Sequence, residues 1–200
     1  MTVIKRVSYS SRVKEDTITD YTAYFNGQWI PYSQVKINPS DRGFFLGDGV
    51  FDSGRTFNGN PFRIKQHLDR LYRSLAAVRM DVGLSPIEMQ EITEEALSRN
   101  EPFRVRVGDF KFTQFVTRGQ GSVSEPGEAT VCVKVAGLGF NKAAEAYTSG
   151  IHVVITRTQS YTPGALDPKI KHHSRMNFVL AEIEANRIEP GAWAILTDDR

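Results

Sequence analysis

Two Asn-Gly steps constrain the fold of this chain more than any other feature. Asn26-Gly27 separates Tyr24-Phe25 from Trp29-Ile30, and Asn58-Gly59 separates the run Val50 to Phe57 from Phe62 to Ile64. Asn-Gly readily supplies the two left-handed residues of a type I′ turn, whose twist matches that of paired strands, so each step predicts a β-hairpin. Strands and helices then come in blocks rather than in alternation. That order predicts an α+β fold with a largely antiparallel sheet rather than a doubly wound one.

The helices are marked by spacing and by caps. Leu68, Leu71, Leu75 and Val78 fall on one face of a helix from Gln66 to about Met80. Ser85, Pro86 and Glu88 form a capping box with proline at the first helical position, opening a second helix to about Arg99 with Ile87, Ile92 and Ala96 inward. Phe103, Val105 and Val107 alternate with Arg104 and Arg106, which predicts a strand. Phe110 and Phe112 continue it past a bulge near Gly108, and Phe115 to Thr117 close it. Gly119 to Gly127 is a loop, Thr130 to Val135 a strand, and Ala136-Gly137-Leu138-Gly139 a boundary. Ile151 to Thr156 and Trp193 to Thr197 are further strands. The expected organisation is a polar arm over 1–20, a small two-layer α/β domain over 21–136, a linker over 137–147, and the start of a larger domain over 148–200.

Composition excludes several classes of function. A net charge of +2 is too small to argue for nucleic acid or an anionic membrane. Nothing approaches the ~20 apolar residues of a membrane span, and the first residues lack the apolar segment of a signal peptide. The single cysteine, Cys132, sits in the apolar run Val131 to Val135 and reads as core packing. It permits no intramolecular disulfide, so a cytoplasmic protein is expected. No metal site is expected.

The stretch Asp167 to Asn186 carries the chemistry. Pro168 pushes Asp167 toward extended geometry, and from Ser174 the apolar residues Met176, Val179, Leu180 and Ile183 fall at helix spacing. Lys171 therefore sits just ahead of a helix, on a turn that can hold it in place. A lysine amine made neutral by burial or nearby cations attacks carbonyls. A surface lysine at a helix start is the plainer reading of the same residues. Arg70, in His67-Leu68-Asp69-Arg70, could offer a phosphate a planar pair of donors or be a solvated helix residue. His67 reads as a core or capping histidine. Phe51, Ser53 and Arg55 alternate along one strand and share a face; Arg55 reads equally as a carboxylate ligand or as half of a structural ion pair.

The stretch IKHHSRMNFVLAEIEAN resembles the Schiff-base lysine region of the class IV, or fold-type IV, aminotransferases. DRGFFLGDGVFDSGRTFNGNPFRIKQHLDRL, Asp41 to Leu71, is similar to that family's N-terminal signature. The resemblance covers the chain from about Tyr24 to Arg200. It implies a small α/β domain, a larger barrel-like α/β domain that is incomplete here, and pyridoxal 5′-phosphate between them. It implies that Lys171 is the imine lysine, that Arg70 holds the cofactor phosphate, and that Phe51, Ser53 and Arg55 line the substrate pocket. It also implies a homodimer, and an aminotransferase moving an amino group from an amino acid or amine, branched-chain-like by preference, to a 2-oxo acid.

Departures from the family pattern keep other readings open. Met176 stands where branched-chain enzymes carry a tyrosine, and Leu46 where they carry an aromatic. The loop Gln120 to Glu128 holds neither the arginine nor the histidine of the D-amino-acid transaminases. The run Lys171 to Arg175 is closer to the aminodeoxychorismate lyase pattern. Family members continue well past a strand like Trp193 to Thr197, into a portion with the carboxylate for the pyridine nitrogen and further phosphate donors, so a fragment of a longer product is expected. A β-eliminating lyase and a non-catalytic cofactor-binding or scaffold protein are the competing functions.

Overall fold

The structure is a computed structural model that describes residues 20–125, 127–139 and 144–198. Of the expected polar arm only Asp20 lies among them. Strands β1 (Thr22–Phe25) and β2 (Gln28–Pro31) form the first hairpin. Its turn residues Asn26 and Gly27 stand at φ 46° and 85°, as a type I′ turn requires. A 3-10 turn (Tyr32–Gln34) leads to the short helix α1 (Arg42–Leu46), N-capped by the Asp41 side chain. Strand β3 (Gly49–Phe57) turns at Asn58-Gly59 into the two-residue β4 (Asn60–Pro61).

Helices α2 (Ile64–Ala77) and α3 (Pro86–Val107) follow, then β5 (Phe110–Thr117) and β6 (Thr130–Gly137). The strands form one sheet in the order β2-β1-β6-β5-β3-β4, every pairing antiparallel. One face, bearing Val50, Phe110, Phe112, Val116, Val133 and Val135, packs on Leu68, Leu71 and Leu75 of α2 and Met89, Ala96 and Leu97 of α3. This is the expected two-layer core. The chain then runs through α4 (Ala146–Ser149), β7 (Val153–Ile155), α5 (Met176–Ile188) and β8 (Trp193–Ile195). β7 and β8 pair in parallel, with α5 against them. Among the described residues no helix is long and apolar enough to cross a membrane.

Several boundaries differ from expectation. Phe103 to Val107 is the last turn and a half of α3, not a strand. Phe103 and Val107 stand four residues apart and pack on the core, while Val105 is 96% exposed. The alternation with arginine imitates a strand, but it is two charged residues on the outer face of a helix. Gly108 is no bulge: at φ 73° it ends α3, and β5 starts afresh at Phe110. Ile87 faces solvent, and Met89, Thr93, Ala96, Leu97 and Asn100 are the buried stripe of α3. The return of the second hairpin stops at Pro61, because α2 begins at Ile64. On α5 the buried positions are Ala181 and Ala185, while Met176, Val179, Leu180 and Ile183 are exposed.

Gly54 leaves room on β3 for an aromatic ring of the neighbouring strand. The Phe112 ring of β5, its direct cross-strand partner, covers it, and a Cβ at position 54 would stand 2.2 Å from Phe112 Cζ. Gly54→Ala should therefore destabilise the fold by about 1–3 kcal/mol through overpacking, read as a lowered urea midpoint. An unchanged midpoint would show that the ring moves aside at no cost.

Candidate functional site

Alternation along β3 sorts its residues between two sides. Val50, Asp52, Gly54 and Thr56 point to the helices; Phe51, Ser53 and Arg55 point to the open face, opposite Phe115, Thr113 and Lys111 of β5. The start of β3 has a free edge, and the segment carrying Lys171 fills it. Phe51 N donates to Lys171 O and His173 N to Gly49 O, both at 2.9 Å, with Val50 and His172 facing each other as an antiparallel bridge. Gly49 permits this approach, since a Cβ there would lie 2.9 Å from His173 Cδ2 and 2.8 Å from Val116 O. The sequence places Lys171 on a turn before a helix; the structure makes that turn a strand-like clip on β3.

The clip is tied to the helical layer as well. Lys171 N donates to Ser74 Oγ at 3.2 Å, and Ser74 Oγ donates to Arg70 O at 3.0 Å. Ser74 is buried on the inner face of α2. The Lys171 side chain is partly buried and lays its amine over the Phe51 ring, Nζ 4.1 Å from the centroid. Burial lowers the pKa of this amine below the ordinary lysine value, and the Arg175 guanidinium lowers it further, while Asp52 opposes them. Lys171 thus releases its proton at a lower pH than a solvated lysine does. Phe51 also stacks on His173, centroids 4.8 Å apart, and Phe115 closes the other side of that imidazole at 3.9 Å.

Arg70 stands on the outer rim of the same clip. Its Nε and Nη2 donate to the two oxygens of Asp52 at 2.6 and 2.8 Å, a bidentate pair. Asp52 is completely buried, whereas the Arg70 side chain keeps 44% exposure. His67 Nδ1 lies 2.8 Å from Asp52 Oδ1. A carboxylate only accepts, so this nitrogen carries its proton. His67 is thus a partner of the Asp52–Arg70 pair rather than a cap.

The other expected residues are further away. Ser53 shares a hydrogen bond of 2.9 Å with Thr113 Oγ1. Arg55 is four residues along β3 from Phe51; its Nη2 stands 3.8 Å from Asp109 Oδ2 and its Cζ 4.0 Å over the Phe57 ring. Lys171, Phe51 and Arg70 therefore gather at the start of β3, and Arg55 keeps to its far end. Asp52 and Ser74 carry no motif of their own. Parity finds them: an acid on the buried side of a strand needs a partner, and Arg70 and Ser74 are four apart on α2 and share a face.

A half-buried amine with a lowered pKa next to a charged guanidinium suits a small molecule bearing both a carbonyl and an anion. The chain is similar to several known proteins. The family model described as Amino-transferase class IV matches residues 49–200. A protein from Methanocaldococcus jannaschii, named as a branched-chain-amino-acid aminotransferase, is 30% identical over 171 residues, 82% of this chain and 55% of the relative. A D-alanine aminotransferase of Bacillus licheniformis is 34% identical over 77 residues, 38% of this chain and 27% of its own. Among solved structures, the branched-chain amino acid aminotransferase from T.th., solved with pyridoxamine 5′-phosphate, superposes with a TM-score of 0.79 at 23% identity, over 90% of this chain and 60% of the other. The Escherichia coli branched-chain enzyme gives 0.79 at 21%, over the same shares. The chain thus spans 55% of the Methanocaldococcus jannaschii relative and 60% of each of these two solved structures.

The two histidines after the lysine yield a pH prediction. Burial pushes the His173 ring from its ordinary 6.5 down to about 4, and burial lowers His172 in the same direction. His173 Nε2 and His172 Nδ1 are both enclosed without a hydrogen-bond partner. In the unfolded chain both rings take a proton near pH 6.5; in the folded chain they resist it. Stability should therefore fall as the pH drops from about 6.5 toward about 4. Chemical denaturation at a series of pH values should show this slope flattened in His173→Phe. Equal slopes would mean that His173 is open to solvent.

Proposed function

The chain belongs to the class IV aminotransferases, and from that membership we propose that it serves a pyridoxal-phosphate-dependent transfer of an amino group from an amino acid or amine to a 2-oxo acid. The observation that carries the reading is the Lys171 amine, fixed by its backbone to β3, partly buried over Phe51 and lowered in pKa. The residues present fit the cofactor. The amine suits its aldehyde, and the exposed part of the Arg70 guanidinium suits its phosphate. When bound, the cofactor supplies a ring that withdraws electrons from the substrate's Cα.

Lys171 would hold the cofactor at its aldehyde, and its free amine would take up and return the proton that moves at the substrate's Cα. Phe51 forms an apolar wall beside it and keeps water from that amine. Arg70 orients the phosphate through donors that lysine could not set in a plane. Ser53 and Arg55 extend the same face; a substrate carboxylate arriving there would compete with Asp109 for Arg55. An apolar donor of branched-chain type suits Phe51 and Phe115, and the loop Gln120 to Glu128 offers Glu125 and Glu128 but no cation to an acidic side chain.

The relatives named above are aminotransferases, which favours transfer over β-elimination of aminodeoxychorismate and over a cofactor-binding scaffold. The proposal includes two domains, 21–136 and 148–200, that meet along the lysine segment. It also includes a cytoplasmic homodimer. A single, buried cysteine asks for no oxidising compartment, and Phe44, Phe45 and Leu46 stand exposed at α1 where a second copy could cover them.

Borohydride reduction of the full chain with pyridoxal phosphate, followed by peptide mapping, should place the label on Lys171. Amino donors supplied with 2-oxoglutarate should then yield glutamate, with leucine or valine ahead of aspartate. A label on another lysine, or pyruvate released from aminodeoxychorismate without glutamate formation, would replace this reading.

A further inference from the structure

The bonds around Lys171 and Arg70 close on themselves. Arg70 holds Asp52 with its side chain, and Asp52 follows Phe51 in β3. Phe51 N donates to Lys171 O, Lys171 N donates to Ser74 Oγ, and Ser74 Oγ donates to Arg70 O. The circuit runs through β3, the lysine segment and one turn of α2, and returns to the residue where it began. Asp52 and Ser74 are its two buried side chains, at 0% and 3% exposure. We propose that Asp52 and Ser74 are positioning residues, whose task is to hold the Lys171 amine and the Arg70 guanidinium in one frame, so that the aldehyde and the phosphate of a single small molecule are met together. This rests on the function proposed above.

Three physical points favour a positioning role over plain stability. An ion pair with one partner buried and the other at the rim is a weak source of stability, since desolvation of the buried charge offsets much of the attraction. The same pair is a strong source of orientation, because two parallel bonds fix the plane of the guanidinium. Asp52 also offsets part of the positive charge of Arg70, so it cannot act by strengthening the field at the phosphate. Its contribution is geometry. Ser74 has one proton, donated to Arg70 O, and an oxygen lone pair that accepts from Lys171 N. Its side chain thereby touches the backbone of both functional residues.

The two accounts separate when the ligand's anion is removed. Pyridoxal carries the aldehyde without the phosphate, and the affinity of the full chain for pyridoxal phosphate and for pyridoxal can be read from the visible Schiff-base absorbance. Asp52→Asn should weaken pyridoxal phosphate on the order of ten- to a hundredfold, the range for losing hydrogen bonds to a charged group, and leave pyridoxal unchanged. Ser74→Ala should reduce the preference for the phosphorylated ligand in the same sense. Added to Arg70→Ala, Asp52→Asn should cost nothing more, because the two act as one unit. Equal losses for both ligands would reduce Asp52 and Ser74 to structural residues. Tighter pyridoxal phosphate binding in Asp52→Asn would mean that charge, not orientation, governs the anion. If Asp52→Asn does not fold, judged by circular dichroism, Ser74→Ala decides by the same ratio. A wild-type chain that gives no Schiff-base band with either ligand would overturn the proposed function itself, and is told apart by that control.

Discussion

Two backbone hydrogen bonds, Phe51 N to Lys171 O and His173 N to Gly49 O, carry the lysine segment onto the free edge of β3. Everything chemical in this chain depends on that pairing. A lysine in a loop wanders through its rotamers and stays solvated and protonated. Clipped to a sheet edge, Lys171 has its backbone fixed within a strand register, so its side chain extends over Phe51 and burial lowers its affinity for a proton. The same pairing covers an edge that would otherwise expose unpaired donors and acceptors. It also brings His173 between two aromatic rings, where a neutral imidazole is favoured.

The clip needs a rigid partner, and the two-layer core supplies it. β3 is held by β5 along seven paired residues, and α2 packs behind it through Leu68, Leu71 and Leu75. The price of the arrangement is a carboxylate with no exposure on the buried side of β3. An acid there is tolerable only because Arg70 and His67 meet both of its oxygens. Deleting one member would leave a buried charge unpaired, which is costlier than never having had the pair. This explains how Arg70 can sit at the rim with one edge fixed and the rest open.

Much of this is legible in the sequence, and the failures have physical causes. Asn26-Gly27 and Asn58-Gly59 mark the hairpins because the turn chemistry is local. The Leu68, Leu71, Leu75 stripe and the capping box at Ser85 mark α2 and the start of α3 for the same reason. Phe103 to Val107 misleads because alternation over five residues fits a strand and the end of a helix equally; only the packing of Phe103 and Val107 decides it. On α5 the apolar residues mark the helix but not its buried face, which is set by small residues, Ala181 and Ala185. Lys171 and Arg70 stand out by motif. Asp52 and Ser74 do not, because their roles arise from contacts 18 and 97 residues away in sequence. Arg55 shares the face of Phe51 as alternation requires, yet it lies beside Asp109, a partner that no local pattern announces.

The central claim is that the lysine segment is part of the sheet rather than a loop laid against it. Native-state amide hydrogen exchange tests this residue by residue. The Phe51, Lys171 and His173 amides should be protected and should open together, at one free energy shared with the flanking amides of β3. Lys169 N, which donates to its own exposed turn at Asp167, should exchange far faster. If Lys171 and His173 exchange at the rate of Lys169 while the rest of β3 stays protected, the clip does not hold in solution, and the amine has no fixed place.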